Sequence, residues 1–184
     1  MDLKQNEDIQ KFLDKIKQLE KNEKLDLSSD EDLSIGIMNL ISIEEHLFFT
    51  FSKTGKKEYL SVLNQVREMR KDLLKKIIKD SEGEVWCTCK HLLAASMRLI
   101  EVGTKMLGKG NEQEAKDMFE KAYGLYSMFW GINLGLVTVG NELTAGNGNN
   151  TINLVSDSKA KTASVSIFAK LGQIVQKAID CCKE

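Results

Sequence analysis

Residues 84–133 read EVWCTCKHLLAASMRLIEVGTKMLGKGNEQEAKDMFEKAYGLYSMFWGIN. Two apolar series run through this stretch at helical spacing. Trp86, Cys89, Leu93, Met97 and Ile100 form the first, and Ala115, Met118, Phe119, Ala122, Tyr126, Phe129 and Trp130 the second. Gly108-Lys109-Gly110-Asn111 separates them, a turn signal with no room for a strand. The stretch therefore predicts two long helices, over about 84–107 and from 112 into the mid-130s, folded back on each other.

The same reading extends outward in both directions. Leu3, Ile9, Phe12, Leu13, Ile16 and Leu19 predict an acidic amphipathic helix over 3–20. Ser29 and Asp32 stand in a Ser-x-x-Asp capping arrangement that opens a helix over 30–53. Leu33, Ile37, Leu40, Ile41, Leu47, Phe48 and Phe51 make its apolar stripe, and Thr54-Gly55 ends it. A helix over 56–80 follows, with Tyr59, Leu60, Leu63, Val66, Leu73, Leu74, Ile77 and Ile78 on one side. Glycines and asparagines crowd residues 140–157, which read as a flexible loop, and Val165, Phe168, Val175 and Ile179 predict a last helix within 158–184.

The chain has 184 residues and no proline, where average usage of about 5% would place about nine. Helix interiors are thus free of their strongest breaker, and glycine supplies the punctuation. The expected fold is all-α: a bundle of four or five long antiparallel helices over 1–139, a Gly/Asn loop, and a C-terminal helix lying on the bundle. Hydrophobic residues make up 42% and charged residues 29%, a globular balance too apolar for disorder.

Charge excludes some functions. Lys and Arg number 26 against 27 Asp and Glu, so a nucleic acid is not an expected partner. The balance hides a local asymmetry. Residues 1–32 carry six Lys and ten Asp or Glu, whereas residues 53–79 carry nine Lys or Arg and three acids. The two segments complement each other, or the basic helix is a docking face for RNA or an anionic membrane surface. Met1 is followed by charged residues, which reads against a signal peptide and for a reducing, cytoplasmic setting of Cys87, Cys89, Cys181 and Cys182. The longest uncharged stretch, Ala122 to Asn141, holds four glycines and two asparagines. It reads as a buried core helix and not as a membrane span.

Residues 99–125 resemble one tetratricopeptide-type repeat. Leu99, Val102, Gly103 and Met106 fall at the first-helix positions, Gly110 at the turn, and Ala115, Phe119, Ala122 and Leu125 on the second helix. The resemblance implies close approach of the helices at Gly103 and Ala122, and a peptide-binding groove. The closing proline is absent, with Ser127 in its place, and no second copy is present.

Few residues are placed for chemistry. Glu44 lies on the apolar stripe of its helix, and Arg67 and Arg70 on that of the next, so all three are expected to face the interior and to pair. Such a set fixes helix register, or with His91 lines a pocket for an anionic ligand or a reaction, or stands in solvent if the register is shifted by one residue. Cys87-x-Cys89-x-His91 is a poor metal set, because 87 and 91 share a helix face and 89 points away. Neither Glu44 nor Glu45 has a His three residues on, as di-iron bundles require. No GxSxG, P-loop or GxGxxG motif occurs. No metal and no cofactor is expected. The reading that remains is a non-catalytic helical module that binds a protein partner or itself, through a groove near Tyr123, Tyr126 and Trp130.

Overall fold

The computed structural model of the chain describes residues 28–78, 83–137 and 172. Four helices occur among the described residues: α1 (Ser28–Thr54), α2 (Glu58–Ile77), α3 (Gly83–Gly108) and α4 (Glu112–Asn133). No described residue is in a strand. The expected helices over 3–20 and 158–184 and the loop over 140–157 lie outside the described residues.

The chain divides into two compact units, residues 29–125 and residues 1–28 with 126–184. The boundary falls inside α4, which carries apolar residues to both sides of it.

Within the 29–125 unit, glycine sets the two helix ends that matter most. Gly110 has φ +79, and the chain closes behind it in a Schellman pair. The Asn111 N–H donates to the Met106 carbonyl and the Gly110 N–H to the Leu107 carbonyl, each at 3.0 Å. Gly55 has φ +67 but ends α1 with one bond, its N–H donating to the Phe51 carbonyl at 2.8 Å. The two glycine joints look alike in sequence yet stop their helices by different motifs. At the far end of α2, Ile78 leaves the helix in an extended conformation, with φ −93 and ψ 118.

Three contacts fix the arrangement of this unit. Glu44 pairs with Arg70, ten residues before the end of α1 and twelve after the start of α2, so α1 and α2 are antiparallel. Phe119 lies over Gly103 across the second joint, so α3 and α4 are antiparallel as well. Only four residues separate Ile78 from Gly83, so α3 starts where α2 stops, and it reaches the level of Glu45 at Arg98.

The buried apolar residues gather on one side of that level. Ile37 and Met38 precede Glu44 on α1, Leu74, Ile77 and Ile78 follow Arg70 on α2, and Cys89, Leu92 and Leu93 precede Arg98 on α3. These side chains form the core of the unit. Toward the two joints, burial is confined to the close approach of α3 and α4, at Gly103, Ala115 and Ala122. Phe48 and Leu60, both expected on inward stripes, are exposed.

In the second unit, residues 126–137 bury Phe129, Trp130, Ile132 and Leu136. The Trp130 ring meets Phe129 edge-on at 5.1 Å and Tyr126 at 6.2 Å. The uncharged stretch from Ala122 thus continues as a helix as far as Asn133, buried at Ser127 and from Phe129 to Ile132. No helix among the described residues is long and apolar enough to cross a membrane.

Candidate functional site

Glu44 and Arg70 meet as the stripes predict. Arg70 Nε donates to Glu44 Oε1 at 2.7 Å and Nη2 to Oε2 at 3.2 Å, a two-point clamp between α1 and α2. The arginine side chain is 6% exposed and the glutamate 17%. Both carboxylate oxygens are therefore engaged by Arg70. The expected third member is elsewhere. Arg67 is exposed, because the buried line of α2 runs through Tyr59, Leu63, Val66, Arg70, Leu74 and Ile77. Leu60 and Arg67 are seven residues apart on one edge of that line and face outward together.

His91 is exposed as well, and lies seven residues before Arg98 on the outer side of α3. Arg98 bridges Glu45 of α1 and Glu101 of its own helix, a surface pairing that the expected set did not include. The sequence signal for it was an Arg–Glu pair three residues apart on α3, with Glu45 beside Glu44 in an otherwise uncharged run of α1. Cys89 is fully buried, and burial pushes its thiol up to about 12, so it stays protonated. Cys87 is exposed on the other side of the helix. No group of three or more His, Cys, Asp or Glu among the described residues is arranged to hold a metal.

Of the aromatic set, Tyr123 is exposed and Tyr126 half-buried, but Trp130 is fully buried. A partner cannot reach the indole without opening the fold.

Glu31, in the first turns of α1, is a buried carboxylate with one oxygen lacking a hydrogen-bond partner among the described residues. Burial, and then the neighbouring Asp32, raise its pKa above the ordinary 4.5. A carboxyl raised on folding stabilises the folded state below its unfolded pKa, and that contribution is lost as pH rises through the folded value. Glu31→Gln is therefore expected to melt a few degrees above the parent at neutral pH. The gap should close as pH falls through about 4.5, and thermal melts across that range check it.

The most informative geometry is a repeat of eleven residues, close to three helical turns, which returns a side chain to the same face. On α1, Ile37 is 0% exposed and Met38 3%, while Phe48 and Phe49, eleven residues on, are 52% and 51% exposed. On α3, Cys89 and Ser96 are 0% exposed, while Ile100 and Leu107, again eleven residues on, are 40% and 50% exposed. On α1 the face that builds the core near residue 37 is exposed toward the Gly55 joint, while on α3 Ile100 and Leu107 are exposed on either side of Gly103, which Phe119 of α4 covers. Phe48 and Phe49 stack edge to face at 5.2 Å within this open part. Leu60 and Val62 of α2 are exposed at the same end.

Comparison with family models, with curated proteins and with solved structures finds no match to this chain.

Proposed function

We propose that the protein is a non-catalytic helical docking module, which covers the open faces of α1 and α3 with a partner helix. The observation that carries this reading is the eleven-residue repeat, in which core faces continue as exposed Phe48, Phe49, Ile100 and Leu107. Lone exposed apolar residues are ordinary on a protein surface, but large ones continuing a core face of two neighbouring helices mark a docking surface. The likeness of residues 99–125 to a tetratricopeptide-type hairpin agrees in kind, since such hairpins bind peptides along packed helices. The Glu44–Arg70 clamp supports a structural role for that pair, because both carboxylate oxygens are already taken.

The reading has a direct test. Phe48→Ser with Phe49→Ser should leave the melting temperature of the isolated protein nearly unchanged, since exposed substitutions shift stability by about 0.5 kcal/mol or less. It should abolish the protein's binding of an apolar dye. A loss near the 3–5 kcal/mol typical of a buried Phe→Ala change would show that the rings are structural, and would end the docking reading.

A further inference from the structure

The open end of the 29–125 unit has a charge as well as an apolar face. Lys53 closes α1, Lys56 and Lys57 stand in the first joint, Lys105 closes α3 and Lys109 stands in the second joint. All five are exposed, and none forms an ion pair among the described residues. Glu58, Glu112 and Glu114 are the carboxylates on the same segments, so five positive charges face three negative ones. By contrast, Arg98, Glu45 and Glu101, further down the helices, neutralise one another in part.

We infer that the occupant of the open faces is an acidic amphipathic helix of another protein, its apolar stripe on Phe48, Phe49, Ile100 and Leu107 and its carboxylates against the five lysines. The inference rests on the docking reading above and adds the chemistry of the partner. Three observations favour this occupant. The open positions continue faces that bury apolar residues three turns earlier, so a further helix packs on them by the same geometry. The unpaired lysines complement a carboxylate-flanked helix and repel a second copy of the same end. Phe49 lies five residues below the end of α1 and Ile100 eight below the end of α3, about 8 and 12 Å down the sides. A flat anionic bilayer resting on the tip would reach Leu107 but leave Phe49 and Ile100 in water.

The test uses the full chain and three labelled synthetic helices that share one Leu/Ala apolar stripe and differ only in flanks of Glu, Gln or Lys. Binding is followed by fluorescence anisotropy at low ionic strength and at about 0.15 M, beside sedimentation with vesicles of phosphatidylcholine and phosphatidylserine. The Glu-flanked helix should bind at least about tenfold tighter than the Gln-flanked one, weaken with salt, and lose to the Lys-flanked helix in K53E/K56E/K57E/K105E/K109E. Phe48→Ser with Phe49→Ser should remove binding of all three. Equal binding of the three helices would overturn the acidic partner and keep the docking reading. Binding of none would overturn both. Sedimentation with anionic vesicles alone would replace the partner by a lipid surface. A dimer broken by the two Phe substitutions would replace it by a second copy.

Discussion

Glu44→Ala is expected to destabilise the folded protein by about 3–5 kcal/mol, because it leaves the Arg70 guanidinium buried without a counter-charge. For a chain of this length that loss corresponds to a fall in melting temperature on the order of 10 °C. Coulomb attraction within the pair is not the main reason. Both ions had to leave water on folding, and their attraction returns only part of that cost. What makes the single substitution severe is asymmetry. With Glu44 present, Arg70 Nε and Nη2 have acceptors at 2.7 and 3.2 Å, and without it those buried donors lose both.

The same physics predicts a rescue. Replacing both partners at once, Glu44→Leu with Arg70→Met, removes the two desolvation costs along with the pair. The double variant should melt within a few degrees of the parent or above it. Glu44→Gln should fall between, because an amide oxygen still accepts one bond from Arg70. Chemical denaturation of the parent, Glu44→Leu, Arg70→Met and the double variant closes a double-mutant cycle, and a coupling near zero would show that the clamp is ornamental. The experiment also bears on function. If Glu44 served a ligand, the double variant would keep its stability and lose a binding signal, whereas a pair that only fixes helix register leaves docking at Phe48 and Phe49 intact.

How much of this was legible in the sequence differs from residue to residue. The four described helices follow from apolar spacing and from Gly55 and Gly110, and their ends fall within a few residues of expectation. Glu44 and Arg70 were legible because a charge in the middle of an apolar stripe must find a partner. Arg67 was misplaced because α2 has a stripe broad enough to admit two registers. The line through Val66 and Arg70 won, and it turned Leu60 and Arg67 outward together. Trp130 was placed in a groove from spacing alone, which marks the face of a side chain but not what covers it. The same limit explains Phe48. Its stripe is continuous with Ile37, and periodicity has no term for where a neighbouring element ends. The open end of the unit is therefore a property of how far the helices overlap, which no single helix records.

The second large effect is expected at Gly103, where Val should cost about 2 kcal/mol despite being the better helix former. A methyl group built at this position would lie 2.6 Å from Phe119 Cε1 and 2.8 Å from Cδ1. No unforced carbon contact is that short. Gly103 is itself buried, so the intrusion is not into solvent. Two responses are open to the hairpin. Either the half-buried Phe119 ring swings outward and loses its cover, or α3 and α4 separate and Ala115 and Ala122 lose theirs. Gly103→Ala separates the two. A ring that swings freely would let the helix-propensity gain of about 1 kcal/mol show as net stabilisation. A ring held in place would turn the same substitution destabilising. Phe119→Leu removes the edge of the ring that a Cβ meets first, so it should rescue Gly103→Ala and only partly rescue Gly103→Val. Melts of the single and double variants would show this as non-additivity of about 1 kcal/mol or more. Additive losses would mean that the close approach of α3 and α4 is set elsewhere, at Ala115 and Ala122. The sequence reading of Gly103 as a contact glycine would then hold for its burial alone.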